Sequence, residues 1–294
     1  MPPFFLHFFY DRTIRDRGRA VDVLLIYLLV GMGAGTIAGL FGVGGGLIIV
    51  PALVLVFTAQ GIAPDILTHM AVGTSLATII ITSISSVRTH HLKGAVDWRI
   101  VTAMAPGILI GSWIGGMTAD WLSGAWLQLL IGIFAVGIAL KMWRDGLRKA
   151  QLVSDGSRVP GRAGLSLAGS FIGWVSAIFG IGGGSLTVPF LTRCRVVIQR
   201  AVATSAACGL PIAVAGALSF AVQGWSNPQL PAWTSGYIYW PAFLGIVLAS
   251  TWFARLGALL AHKLSPQLLK NCFAGLLFLI GARFIWLNYA VALG

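Results

Sequence analysis

The sequence predicts an all-α polytopic membrane protein made of two homologous halves set as inverted repeats, and three observations predict it. First, 57% of the 294 residues are hydrophobic and 10% are charged, with mean hydropathy +0.88. A soluble domain carries about 25% charged residues, so this chain cannot cover a water-facing surface. Second, eight apolar stretches lie near 21–40, 66–87, 99–118, 125–143, 164–180, 200–222, 236–258 and 266–288; roughly 20 residues cross a hydrocarbon core. Third, one phrase occurs twice. Residues 41–53 read Phe-Gly-Val-Gly-Gly-Gly-Leu-Ile-Ile-Val-Pro-Ala-Leu, and residues 179–191 read Phe-Gly-Ile-Gly-Gly-Gly-Ser-Leu-Thr-Val-Pro-Phe-Leu; the copies are 138 positions apart and identical at eight places.

The elements follow in order. Residues 1–20 form an arm in which Phe4, Phe5, Phe8, Phe9 and Tyr10 precede Arg12, Arg15, Arg17 and Arg19. That order is unlike a cleaved signal and reads as an interfacial anchor. The first repeat, 21–143, opens with a helix broken at Gly44, Gly45 and Gly46, continues in a short stretch near 43–58, and then makes three full spans. Residues 144–163 carry Arg144, Arg148, Lys149, Arg158 and Arg162 and read as a cytoplasmic linker. The second repeat, 164–290, has the same plan, with its break at Gly182, Gly183 and Gly184 and a short stretch near 183–192. Each half is therefore a glycine-broken helical hairpin followed by three transmembrane helices. Further pairs join the halves. Gly31 and Gly35 match Gly169 and Gly173; Ala71, Val72, Thr74 and Ser75 match Ala201, Val202, Thr204 and Ser205; Pro106 faces Pro241. The Gly-xxx-Gly pairs read as close helix-packing positions.

Basic residues choose between parallel and inverted halves. If each hairpin returns to its starting side, each half makes an odd number of crossings and the second half is inverted. Fifteen basic residues then lie on the cytoplasmic side and four outside, all four in the arm, with Arg283 inside the last span. Parallel halves would leave thirteen inside and six outside. The positive-inside rule favours inversion. The uncharged aromatic loop near 223–236 suits the outer face, and Trp113, Trp121, Trp126, Trp225, Trp233 and Trp240 read mostly as interface aromatics.

Several functions lack their parts. A net charge of +12 is spread over short loops between spans, which explains it by helix orientation and leaves nucleic acid without a case. Cys194, Cys208 and Cys272 show no metal or disulfide spacing. All eight acidic residues are Asp, each at a segment edge or in a loop, so no buried carboxylate marks a cation pathway or an aspartyl protease. No metalloprotease, serine-hydrolase or nucleotide-binding motif is present. The expectation is no enzyme, no cofactor and no metal.

A site without acids but with exposed backbone suits an anion. The triple glycines let the chain leave helical geometry. Freed N–H groups and the start of the following half-helix then point partial positive charge at a ligand. Pro51 and Pro189 should bend or end those half-helices. Thr74, Ser75, Thr204 and Ser205 offer hydroxyl donors at matching places, or else satisfy backbone carbonyls within their helices. Arg88, His90, His91 and Lys93 gather at a segment end, as snorkelling orientation charges or as a vestibule that concentrates anions on an access path. Arg283, in the last span without an acid, snorkels or lends a counter-charge.

The paired phrase, each copy followed by Ala-Val-x-Thr-Ser, resembles the TauE/SafE family of sulfite exporters and sulfur-anion permeases. The likeness runs from about residue 21 to 288. It implies an inner (cytoplasmic) membrane carrier of small sulfur anions such as sulfite, thiosulfate, sulfoacetate or other organosulfonates. It also implies that the glycine phrases and the Thr-Ser pairs lie near the transport path. The resulting expectation is a secondary transporter working by alternating access, with the bilayer and a small sulfur anion as partners. A proton is the candidate coupling ion, routed by His90, His91 or the substrate, and a homo-oligomer stays open. The alternatives are an anion channel, or a membrane-embedded scaffold or enzyme.

Overall fold

A computed structural model describes residues 24–36, 46–146, 159–261 and 266–293. The N-terminal arm, most of the linker and Gly44 and Gly45 fall outside these. The described residues form ten helices: α1 (Leu24–Thr36), α2 (Gly46–Ala59), α3 (Pro64–Leu92), α4 (Trp98–Trp121), α5 (Gly124–Gly146), α6 (Arg162–Ile178), α7 (Gly184–Arg193), α8 (Ile198–Gln223), α9 (Trp240–Ala261) and α10 (Pro266–Leu293). Five of them contain stretches long and apolar enough to cross a membrane: α3, α4, α5, α8 and α10. The all-α polytopic plan is thus what the chain adopts.

Local chemistry sets the helix ends. Pro64 and Asp65 open α3, where a missing N–H costs nothing and a negative charge meets the positive helix end. The helix stops at Leu92, and Gly94 then adopts φ +63°. Asp97 caps α4 by accepting from Arg99 N at 3.1 Å and Ile100 N at 3.4 Å. Pro51 and Pro189 each occupy the sixth position of a half-helix, yet α2 continues to Ala59 and α7 to Arg193. Neither proline ends its helix, the stronger of the two expectations; each removes a single intrahelical bond near the start.

The fold is arranged by position in the repeat. α3 and α8 form the centre, with 61% of each apolar window buried, against 33% for α5 and α10. Their contacts run in opposite chain order: Gly73 packs near Phe220, Leu76 near Gly216 and Ser83 near Gly209. The matching pair α5 and α10 is also antiparallel, with Gln128 bonded to Asn288 and the Trp143 ring tilted against Phe278. The hairpin helices cross to the opposite half. A Cβ on Gly31 would lie 2.7 Å from Ile246 O on α9, and one on Gly35 2.6 Å from Ser250 Cα. In the same way, Gly169 abuts Met104 O on α4 at 2.5 Å and Gly173 abuts Ile108 O at 2.6 Å. The two Gly-xxx-Gly pairs therefore seat α1 on α9 and α6 on α4, backbone against backbone.

Those contacts correct the register of the later repeat pairs. Met104 matches Ile246, Ile108 matches Ser250, and Trp98 and Trp240 open the corresponding helices. Pro106 is the ninth residue of α4 whereas Pro241 is the second of α9, so these prolines do not correspond. The shift comes from an insertion before α9. There the aromatic segment ends in a small antiparallel hairpin, β1 (Thr234–Ser235) with β2 (Ile238–Tyr239), paired Thr234 to Tyr239 and Ser235 to Ile238.

Candidate functional site

The second glycine phrase is a tightly specified break. α6 ends in a reversal in which Ile181 N bonds Ser176 O at 3.0 Å and Gly180 N bonds Ala177 O at 3.2 Å. Gly180 holds φ +63°, the left-handed position that this helix-terminating motif demands. Its carbonyl faces away from α6 and accepts the Ser75 hydroxyl of α3 at 2.8 Å. The chain then turns back through Gly182 and Gly183 into α7. Gly183 O accepts from Leu186 N at 3.3 Å and Thr187 N at 2.8 Å, while the N–H groups of Gly182, Gly183 and Gly184 bond no acceptor among the described residues. Free amides at the start of a helix form an anion-attracting concavity.

These glycines line a cavity of about 30 Å³ with Ser205 and Gly209 of α8 and Thr82, Ser83 and Ser86 of α3. That is room for about two waters. Ser205 is 1% exposed and Thr187 is fully buried, and neither hydroxyl has a hydrogen-bond partner. Both adjoin the break: a Cβ on Gly183 would sit 3.1 Å from Ser205 O and 3.2 Å from Thr187 Oγ1. Buried hydroxyls are nearly always paired, so these two are donors left open beside the free amides; Ser112, Ser176 and Ser185 are unpartnered in the same way. No acid lines this cavity.

The first phrase reaches the same place from the other half. A Cβ on Gly46, the first residue of α2, would lie 2.8 Å from Gly180 O and 3.0 Å from Ile181 Cα. Gly44 and Gly45 lie outside the described residues. The Thr-Ser pairs divide their labour. Thr74 Oγ1 accepts from Tyr239 N at 3.0 Å, one residue before α9, and Thr204 Oγ1 accepts from Asp97 N at 3.0 Å, one residue before α4. Each threonine thus anchors the start of the other half's fourth helix. Ser75 ties α3 to Gly180, and Ser205 alone of the four faces the cavity without a bond.

The charged candidates stand elsewhere. Arg88 and His91 are exposed at the end of α3 and His90 is half-buried. His91 Nδ1 accepts from Trp98 Nε1 at 3.2 Å, bracing the turn into α4. Arg283 lines a separate cavity among α2, α3, α5 and α10.

Sequence reasoning missed Thr82, Ser83, Ser86 and Thr187. The signal for the first three was a hydroxyl stripe on one face of α3, at 75, 79, 82/83 and 86, where only Ile79 is apolar. It also missed His69, 3% exposed, whose ring nitrogens lie 3.0 Å from Asp65 O, 2.9 Å from Ala119 O and 3.1 Å from Leu122 O. The ring stacks on Tyr237, whose hydroxyl donates to Asp120 at 3.0 Å. Burial raises the Tyr237 phenol above its ordinary value and keeps it the donor. His69 thus clasps the end of α4 to the start of α3. His69→Leu, which keeps the bulk and loses the bonds, is expected to cost about 1–3 kcal/mol, read as a lower melting temperature of the purified protein.

The described residues contain no group of three or more His, Cys, Asp or Glu side chains placed to hold a metal ion. The family model described as sulfite exporter TauE/SafE matches residues 27–284. A probable membrane transporter protein of Haemophilus influenzae is 41% identical over 257 residues, covering 87% of this chain and 95% of that relative. A probable membrane transporter protein of Methanocaldococcus jannaschii is 28% identical, covering 88% and 94%. The probable membrane transporter protein YunE of Bacillus subtilis is 27% identical, covering 89% and 97%. No solved structure matches the chain significantly.

Proposed function

The chain belongs to the sulfite exporter TauE/SafE family, and on that premise we propose that this membrane transporter is a secondary carrier of small sulfur-containing anions. Sulfite, thiosulfate, sulfoacetate and other organosulfonates are the substrate class, and the inner membrane is the location. The observation that carries the reading is the cavity at the second glycine break. It joins free backbone amides to the buried, unpartnered hydroxyl of Ser205, with that of Thr187 beside the break and no acid in the lining. Such donors bind an oxyanion without the desolvation cost of a buried cation. The antiparallel order of α3 with α8 and of α5 with α10 supports inverted halves, the arrangement that lets one repeat rock against the other around a shared site.

Purified protein in liposomes tests this. Saturable uptake of a sulfur anion with counterflow supports the carrier, and flux linear in concentration supports the channel. Gly183→Leu fills the cavity against Ser205, Ile212 and Thr187 and is expected to abolish uptake and the share of the anion's thermal stabilisation that arises at this cavity. Gly183→Ala, the gentler variant, should weaken both. Undiminished anion stabilisation in folded Gly183→Leu, or no movement of any sulfur oxyanion by the parent, removes the proposal.

A further inference from the structure

We propose a second oxyanion site at the opposite end of α3, built around Arg283. A cavity of about 200 Å³ opens where α2 and α10 approach their ends and α3 and α5 begin. Its polar lining is Arg283, Thr68 and Gln128, with Thr58, whose hydroxyl donates to Val54 O, and Asn288, whose amide nitrogen is already engaged. Arg283 supplies the guanidinium; Thr68 and Gln128 add a hydroxyl and an amide. The amide is already oriented, because Gln128 Oε1 accepts from Asn288 Nδ2 at 2.6 Å while that same nitrogen donates to Phe284 O at 2.9 Å. With its oxygen taken, Gln128 turns its NH₂ to the cavity. Among the lining residues there is no acid, and Arg283, exposed at the rim of the cavity, has no ion pair among the described residues. The starts of α3 and α5 also contribute Pro64, Thr68, Gly124 and Gln128, so the positive ends of two long helices border the cavity that Arg283 lines. Asp65, in the first turn of α3, is exposed and is not part of the lining.

Three donors with two helix N-termini fit a tetrahedral or trigonal oxyanion, such as a sulfonate or a phosphate. The site is distinct from the glycine cavity. Thr68 and Ile79 mark the two on α3, and eleven residues of helix rise about 17 Å. The oxyanion can come from a free sulfur anion waiting on the path or from the headgroup of an anionic lipid. The first source rests on the carrier reading above; the second stands without it.

The test uses the full-length protein in phosphatidylcholine nanodiscs and follows melting temperature in two arms. One arm titrates ethanesulfonate, and the other raises the fraction of phosphatidylglycerol. Parent, Arg283→Gln, Gln128→Leu and Gly183→Leu are compared. Arg283→Gln should weaken the half-saturation of one arm about ten-fold, with Gln128→Leu weakening the same arm less. Gly183→Leu should leave that component intact. Loss in the sulfonate arm assigns a substrate vestibule, and loss in the lipid arm assigns a headgroup site. If Arg283→Gln and Gln128→Leu match the parent in both arms, the site is wrong. That result leaves the glycine cavity untouched, because its own test is transport by Gly183→Leu.

Discussion

Ser205→Ala should weaken anion binding by about ten-fold or more while leaving the empty protein at least as stable as the parent. The two halves of that expectation have one cause. Ser205 Oγ is buried and bonds nothing in the ligand-free protein. Removing an unsatisfied buried hydroxyl relieves a desolvation cost, so stability holds or rises. A hydroxyl donating to an anion is a charge-assisted bond, roughly 1.5–3 kcal/mol, and its loss appears only when the anion is present. Ser75→Ala is the control, because the same residue in the other half already donates to Gly180 O at 2.8 Å. It is expected to lower stability by about 0.5–2 kcal/mol with ligand absent. Melting temperature with and without thiosulfate separates the two cases. A Ser205→Ala protein that is less stable when empty and binds as tightly as the parent would show that the hydroxyl is structural.

That contrast also shows how far the sequence could be read. Composition gave the bilayer, and a repeated phrase gave two halves, because both follow from single-residue chemistry that survives without coordinates. The Thr-Ser pairs were found as a repeat, but the sequence could not separate the four hydroxyls. Thr74 and Thr204 answer to Tyr239 N and Asp97 N, 165 and 107 positions away. Such long-range partners leave no periodic trace. The hydroxyl stripe of Thr82, Ser83 and Ser86 was legible in principle and was hidden by the louder Arg88, His90 and His91 that follow it. His69 was invisible for a further reason. Its partners are backbone carbonyls at the end of α4, and a carbonyl looks the same at every position of a sequence. The hairpin before α9 hid likewise, since four residues carry too short an alternation to stand out from an aromatic loop.

Gly180→Ala is expected to cost about 2–4 kcal/mol of stability and to disable the anion site with it. An alanine at φ +63° bears the left-handed penalty of roughly 1–2 kcal/mol. Its Cβ would also lie 2.7 Å from Val50 Cγ2 and 3.1 Å from Val72 Cα. The valine methyl can rotate away, but Val72 Cα belongs to the backbone of α3, so the break must move instead. Movement of Gly180 drags its carbonyl from Ser75 and shifts Gly182 and Gly183, which follow within three residues. Binding should therefore fall in the folded fraction, which a purely energetic defect would leave alone. Gly137→Ala is the matched control, since a Cβ there meets nothing within 4 Å and the substitution in the middle of α5 removes a helix-weakening residue. Melting temperature and thiosulfate affinity, measured on both variants, decide the matter. A Gly180→Ala protein as stable and as tight-binding as Gly137→Ala would mean that the break is neither rigid nor part of the site, and that the free amides of Gly182 and Gly183 do not owe their aim to the turn before them.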